Sequence, residues 1–381
     1  HCRARRQPAK RKFQQAVANR HDYARQWKEH TGGKVVGYLC TYVPEELFHA
    51  AGMLPVRVMG SHEPESVTSP YIFGMFCSYC RDCLAQGILG RYDYLNAVAT
   101  AHCCVHSFQT FDSWRRHLPM EHFYYLAMPQ LIQSRGALPS MLKEIQALKE
   151  RLEADTGHSI STTAIKQAVN AYNQNRRLTH QVYELRKREN PPITGAQCME
   201  MVMASQVMEK KEHSRLLRSL LKELEADPPQ REPGVRLMVA GQTDSLDVMK
   251  VIEDLGTTVV VDDLCFGSRY FWNEARDGAD PLNALAKRYL ERPPCPMKDL
   301  HGVRIRPDYL LGLAKEYGAQ GAILVRQQFC DPHEYDMPVV KRLLEKNGIP
   351  ALVLETDITI PLGQLRTRVE AHLELVQQEI A

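Results

Sequence analysis

Lys34-Val35-Val36-Gly37-Tyr38-Leu39-Cys40 is followed by a Thr41-Tyr42 turn, then Pro44-Glu45-Glu46-Leu47-Phe48-His49-Ala50-Ala51-Gly52, then Leu54 to Met59. The first stretch is apolar and rich in β-branched and aromatic residues, which suits a buried strand. Pro44 pre-sets the backbone of a first helical turn, Glu45 and Glu46 sit beside its positive end, and Gly52 stops it. Leu54 to Met59 reads as a second strand. The unit is βαβ, and the loop after its first strand lies where open α/β sheets place ligands.

The same pattern returns downstream. Val235 to Ala240 reads as a strand, Gly241-Gln242-Thr243-Asp244 as a turn, Ser245 to Leu255 as an amphipathic helix closed by Gly256, and Thr257 to Val261 as the next strand. Gly321 to Arg326 predicts a strand, Glu334 to Lys346 a helix stopped by Asn347-Gly348, Ile349 to Leu354 a strand, and Pro361 to Glu379 a terminal helix. Two similar βαβ starts suggest two α/β domains of related build. Between them, Leu142, Ile145, Leu148 and Leu152 recur at helical spacing, and Val169, Tyr172, Leu178 and Tyr183 continue the pattern beyond a Ser161-Thr162-Thr163 cap. Asp227-Pro228-Pro229-Gln230-Arg231-Glu232-Pro233 reads as a linker. The expected domains are therefore a helical lead-in over 1–33, a first α/β domain over 34–137, a helical segment over 138–227 and a second α/β domain over 233–381.

The 381 residues are 44% hydrophobic and 24% charged, a globular composition too long for one ordinary domain. Lys and Arg number 48 against 45 Asp and Glu, leaving +3, so no nucleic-acid partner is expected. No apolar run approaches the roughly 18 residues of a membrane helix, and no membrane partner is expected. The basic, acid-poor start reads as a lead-in to a helix through Phe13, Val17, Tyr23 and Trp27, with an organellar transit segment as the alternative.

Eleven cysteines is an odd and large number. A disulfide scaffold is normally shorter and carries an export signal, so reduced thiols serving a metal are the better reading. Cys77-Ser78-Tyr79-Cys80-Arg81-Asp82-Cys83 opens a helix, His102-Cys103-Cys104 follows a predicted strand from Tyr94 to Ala99, and Phe329-Cys330-Asp331-Pro332 follows the strand ending at Arg326. All three places belong to the ligand edge of an α/β sheet, and thiols meeting there from two domains suit an iron–sulfur cluster. The run Cys77, Cys80, Cys83 lacks the fourth cysteine and proline of a bacterial ferredoxin, since Gly87 and Ile88 stand there. Cys80 and Cys83 are expected to pack against the sheet, with Cys77 as the ligand. A zinc site remains the alternative metal reading.

Taken in order, several segments resemble the 2-hydroxyacyl-CoA dehydratase and benzoyl-CoA reductase family. They are Gly37 to Leu47, Ala50 to Arg57, Cys77-Ser78-Tyr79, Tyr92 to Leu95, His102-Cys103-Cys104, Phe329 to Pro332, Gly348-Ile349-Pro350 and Leu354 to Asp357. The resemblance implies an α/β architecture of two flavodoxin-like doubly wound domains, a helical segment between them, and one [4Fe-4S] cluster in the interdomain cleft. Its ligands here would be Cys77, Cys104 and Cys330. The family has a single cysteine, usually followed by Asp, where this chain has Cys103-Cys104-Val105, which leaves Cys103 the weaker candidate. Three thiols would leave one iron with an open coordination place. Cys198, Cys265 and Cys295 are expected to be dispensable.

The resemblance further implies an oxidoreductase subunit, most like the smaller core subunit of an ATP-dependent benzoyl-CoA reductase and active only in a cytoplasmic heterotetramer. The expected partners are a homologous larger core subunit, ATP-hydrolysing iron–sulfur activator subunits, ferredoxin and an acyl-CoA substrate. The chain has no Gly-x4-Gly-Lys-Ser/Thr loop, so it would receive electrons rather than hydrolyse ATP. A radical 2-hydroxyacyl-CoA dehydratase subunit and a non-catalytic cluster-carrying scaffold are the alternatives. Thr41, Tyr42, Glu46 and His102 are candidates for the neighbourhood of the cluster. Glu45 is expected to serve the helix dipole, and Arg57, Arg81 and Lys298 to be solvated surface charge.

Overall fold

The computed structural model describes residues 8–380 except 64–65, 227–233, 277, 279, 301 and 303. The basic start before Pro8 and the linker at 227–233 lie outside the described residues. Two helices, α1 (Ala9–Ala18) and α2 (Arg20–Thr31), precede β1 (Val35–Tyr38), α3 (Glu45–Ala50), β2 (Leu54–Arg57), α4 (Ser78–Ile88), β3 (Ala97–Ala101), α5 (Val105–His117) and β4 (His122–Leu126). Four helices follow: α6 (Ala137–Thr156), α7 (Thr162–Glu184), α8 (Gly195–Ser205) and α9 (Lys210–Ala226). The chain then runs through β5 (Val235–Gly241), α10 (Leu246–Glu253), β6 (Thr257–Asp263), α11 (Ser268–Phe271), α12 (Pro281–Glu291), α13 (Arg306–Glu316), β7 (Gly321–Gln327), α14 (Asp331–Lys346), β8 (Ala351–Thr356) and α15 (Leu362–Ile380).

The strands form two four-stranded sheets, ordered β2-β1-β3-β4 and β6-β5-β7-β8, and every pairing is parallel. The two halves thus share one topology, as the repeated βαβ pattern suggested. In each sheet the first strand is flanked by the next two, so the chain leaves it once in each direction. The switch points fall between β1 and β3 and between β5 and β7, the crevices in which such sheets bind ligands. Gly241 closes β5 at φ 120, where a Cβ would fall 1.9 Å from the Val325 carbonyl oxygen. Only glycine permits so close an approach of the two strands at the switch point.

Several boundaries differ from the sequence reading. The opening helix is two, broken at Asn19. β3 begins at Ala97 rather than Tyr94, because Tyr92 and Tyr94 turn inward and their rings pack on His21. α14 begins at Asp331, ahead of the expected Glu334, with Pro332 in its first turn, where a missing N–H costs no helical bond. Among the described residues, no helix is long and apolar enough to cross a membrane.

The halves are interlocked. α6 buries Met141, Ile145, Leu148 and Leu152, and α12, which belongs to the crossover from β6 to β7, supplies Leu285 and Tyr289 to that same core. Glu46 at the start of α3 is fully buried against Arg176 of α7 and accepts from the Tyr289 hydroxyl at 2.8 Å. Burial alone would raise the Glu46 carboxyl, but Arg176 and Arg288 outweigh it and hold it down at about 2. Removing one partner would leave an uncompensated buried charge. Arg176→Met is therefore expected to lose about 3–5 kcal/mol of stability in denaturant unfolding, while the exposed substitution Arg366→Met changes it little.

A second tie is His62, which lies 3.1 Å from Asp244 of the other half. Burial lowers the imidazole, but the carboxylate of Asp244 more than compensates and raises it to about 9. A raised pKa contributes stability that is complete below the unfolded value near 6.5 and is lost as pH rises through about 9. Thermal unfolding between pH 6 and pH 10 is expected to show this loss, on the order of 3 kcal/mol at most. His62→Gln should flatten the profile in that window.

Candidate metal centre

The carboxyl ends of both sheets open on one narrow cavity of about 90 Å³. Nine cysteines line it: Cys40, Cys77, Cys80, Cys83, Cys103, Cys104, Cys265, Cys295 and Cys330. Cys40 follows β1, Cys103 and Cys104 follow β3, Cys265 follows β6 and Cys330 follows β7, so topology alone delivers five of them to the sheet edges. The described cysteines are all free thiols. Cys198 is the one described cysteine outside this lining, buried in the core beside α1 and α10.

Cys77, Cys104 and Cys330 each occupy the N-cap of a helix, α4, α5 and α14. Unpaired N–H groups and the helix dipole give such positions a positive potential, which favours thiolate over thiol. Cys104 Sγ accepts the Ser107 amide at 3.4 Å. Cys77 meets Cys330 through contacts between the sheets: the Ser78 amide donates to the Gln328 carbonyl at 3.2 Å, and the Ser78 hydroxyl to Gln327 Oε1 at 2.9 Å. His106 Nδ1 accepts the Cys77 amide at 2.8 Å while its Nε2 faces Asp331 at 3.3 Å, a second bridge between α5 and α14. Phe329, just before Cys330, holds φ at 60, a left-handed value that a bulky side chain rarely adopts. The strain sits next to a candidate ligand.

Cys77, Cys80 and Cys330 touch one another with Tyr79 alongside. Hydrogen bonds from Cys330 and Cys80 hold Cys77 well below the ordinary thiol range and push those two up. Cys80 is therefore part of the thiol group, not only sheet packing as its spacing suggested. Cys83 does pack, with its Sγ 3.8 Å from the Val58 carbonyl and Gly87 close against Trp114. A second group joins Cys103, Cys295 and Cys40, with Cys103 Sγ 3.8 Å from Cys295 Sγ. The bond from Cys103 lowers Cys40 to about 7 and Cys295 to about 6, although burial opposes both shifts. Among the described residues no three His, Cys, Asp or Glu side chains surround one point as ligands of a single ion would; the thiols are spread along the cavity in these two groups.

Of the three cysteines expected to be dispensable, Cys265 and Cys295 line the cavity and Cys198 lies outside its lining. Cys40 had a legible signal, the loop after a first strand. Cys295 had none, because the Pro293-Pro294-Cys295-Pro296 stretch carries no periodicity and reaches the cavity through the packing of α12.

The other candidates divide. Thr41 lines the cavity, and its carbonyl and hydroxyl accept from Arg292 at 2.6 and 3.2 Å. Tyr42 turns away and accepts the Cys295 amide at 3.3 Å. Glu45 and Glu46 are buried behind the loop in ion pairs with Lys210 and Arg176, so the helix dipole alone does not account for Glu45. His102 lies beside Tyr125, its ring tilted with centroids 6.1 Å apart, outside the lining. Arg57 and Lys298 are fully buried rather than solvated, and Arg81 is half-buried against Asp357. Lys298 Nζ holds the His102 and Pro129 carbonyls at 2.5 and 3.0 Å. Arg57 lines the cavity with 2% exposure, donates to the Tyr79 hydroxyl at 3.0 Å, and leaves Nε and Nη1 without a hydrogen-bond partner among the described residues. A cysteine-lined, carboxylate-free wall with an unsatisfied guanidinium fits an anionic thiolate–metal group.

The family model for the 2-hydroxyglutaryl-CoA dehydratase D-component matches residues 40–376. The chain is 29% identical to the (R)-phenyllactyl-CoA dehydratase beta subunit of Clostridium sporogenes, over 95% of this chain and 97% of that protein. It is 30% identical to the beta subunit of (R)-2-hydroxyglutaryl-CoA dehydratase of Acidaminococcus fermentans, over 90% and 92%. It is 28% identical to one of the subunits of benzoyl-CoA reductase of Thauera aromatica, over 86% of each chain. The family model and the relatives together show that this chain belongs to the 2-hydroxyglutaryl-CoA dehydratase D-component family, and the relatives named here are subunits of hydroxyacyl-CoA dehydratases and of benzoyl-CoA reductase.

Proposed function

We propose that this chain is the smaller core subunit of an ATP-dependent benzoyl-CoA reductase, with a [4Fe-4S] cluster held by Cys77, Cys104 and Cys330. The observation that carries the reading is that these three thiols, each capping a helix, come from both sheets to one cavity. When bound, such a cluster supplies one-electron transfer at low potential. The residues of this chain do the rest. Helix N-termini and Arg57 offset negative charge, and the apolar walls limit water. Ser78 and His106 fix the spacing of the thiols.

The lining among the described residues contains no carboxylate, and Glu45 and Glu46 are committed to ion pairs. With no carboxylic acid in this lining to move protons to a substrate, an electron-relay role is favoured over acyl-CoA reduction at this subunit. In this reading the aromatic acyl-CoA binds at a homologous larger core subunit, and ATP-hydrolysing iron–sulfur activator subunits, reduced by ferredoxin, deliver the electrons. The assembly is placed in the cytoplasm. The dehydratase reading stands second because two of the relatives reported above are dehydratase beta subunits of similar identity.

Replacing Cys77, Cys104 or Cys330 by serine is expected to lower iron and acid-labile sulfide in anaerobically purified protein, whereas Cys198→Ser keeps both. Full retention in all three variants would remove the ligand assignment. The assembled complex, supplied with ATP and reduced ferredoxin, is expected to reduce benzoyl-CoA to a cyclic dienoyl-CoA. Dehydration of an aromatic 2-hydroxyacyl-CoA without reduction of benzoyl-CoA would replace this reading by the dehydratase one.

A further inference from the structure

Behind the loop that carries Thr41 and Tyr42, three buried side chains that the cluster reading does not use form a hydrogen-bonded chain. Lys210 Nζ, at the start of α9, donates to the Tyr270 hydroxyl of α11 at 2.7 Å. That hydroxyl donates in turn to Glu45 Oε1 of α3 at 3.1 Å. The ammonium and the carboxylate themselves stay 3.9 Å apart. Tyr270 thus accepts from one end and donates to the other, which is the arrangement that lets a proton move along a chain.

A structural tie is the plainer explanation of a buried ion pair, but the surroundings go beyond it. The chain borders the thiol cavity from behind in two places. The Arg57 guanidinium, on the cavity wall, lies 5.5 Å from the centre of the Tyr38 ring, and the buried Tyr38 hydroxyl has no hydrogen-bond partner among the described residues. Burial and the charge of Glu45 both hold the Tyr38 phenol in its neutral form. Arg269, which precedes Tyr270, lines the cavity as well. The neighbouring charges are otherwise engaged: Glu46 pairs with Arg176, and Arg288 donates to the Asn273 and Tyr270 carbonyls. Lys210 and Glu45 are left to answer each other through Tyr270. Burial, and then the charge of Arg176, draw the Lys210 ammonium down to about 8 against the opposing pull of Glu45. Tyr172 of α7 touches both Lys210 and the half-buried His49 of α3, so the outer end of the chain is one ring away from a partly solvated side chain.

We infer that Lys210, coupled to Glu45 through Tyr270, is a proton-accepting site that takes up one proton from solvent as the metal group of the cavity takes up one electron from its protein donor. The inference rests on the cluster reading given above. The Lys210 amine becomes an ammonium, the metal group is reduced by one electron, the donor is oxidised by one, and no other bond is made or broken. Negative charge added inside a dry wall raises the proton affinity of a titratable group behind that wall. A relay subunit needs such compensation, because an unbalanced buried charge opposes the arrival of the next electron.

The test is redox titration of the anaerobically purified, cluster-loaded full-length chain from pH 6.5 to pH 10, read by electron paramagnetic resonance. Below about pH 8 Lys210 already carries its proton, and the midpoint potential is expected to stay level. Above it the potential is expected to fall by up to about 59 mV for each tenfold drop in proton concentration. Lys210→Arg keeps the cation but releases no proton in this range, so its potential should stay level throughout. Glu45→Gln removes the charge that holds the ammonium up, and should move the onset of the slope below pH 8. Iron content equal to wild type shows that each variant is folded. A level wild-type potential over the whole range, or a slope that Lys210→Arg leaves in place, would overturn the inference while the cluster stands. Absence of an iron–sulfur signal in every form would overturn the cluster reading and this inference together.

Discussion

Ser78 stands between two sheets that have no strand in common. Its amide and hydroxyl bond to Gln328 and Gln327 at the end of β7, and this places the N-terminus of α4 against that of α14. Cys77 and Cys330 cap those two helices. Without this bridge the cysteines would be loop-end thiols on two separate domains. With it, two positive helix ends and their sulfurs share one cavity, and the remaining features of the site follow from that approach.

Joining two carboxyl edges buries a large set of polar groups, and the fold satisfies many of them in pairs. Arg306 binds Asp263 and Asp336 within the second half, Arg186 binds Asp262 and Glu46 binds Arg176 from the helical segment, and His62 meets Asp244 across the halves. Such pairs add little net stability compared with apolar packing, but each is expensive to break. They fix how the halves sit, which a site built from thiols of both halves requires. Arg57 is the exception. Among the described residues it has no carboxylate partner; its guanidinium lies over the Tyr38, Tyr79 and Phe266 rings and lines the thiol cavity.

The shared strand order of the sheets explains why thiols gather without any dense local motif. A doubly wound sheet sends every loop after a strand to the same edge. Cys40, Cys103, Cys104, Cys265 and Cys330 exploit this rule one loop at a time. Two such edges facing each other double the number of positions that can reach one cavity.

The sequence by itself determined seven of the eight strands, most helices, the two-fold repetition of the βαβ pattern, Cys77 at a helix start, and Cys104 and Cys330 in loops after strands. Those features depend on local periodicity, on proline and glycine punctuation, and on residues adjacent in the chain. It did not determine that Cys80 joins Cys77, that Cys295 reaches Cys103, that Arg57 and Lys298 are buried, or that Glu45 and Glu46 lie behind the loop rather than beside the thiols. Glu46 depends on how α7 packs against α3, Cys295 on the packing of α12, and Arg57 on the closing of Tyr79 and Phe266 over it. Contacts over such sequence distances leave no period in the chain: Cys295 sits among prolines with no pattern of its own, and Arg57 ends an ordinary strand. Only the tertiary structure, by closing one sheet edge on the other, decided which thiols share a cavity and that Arg57 lies among them.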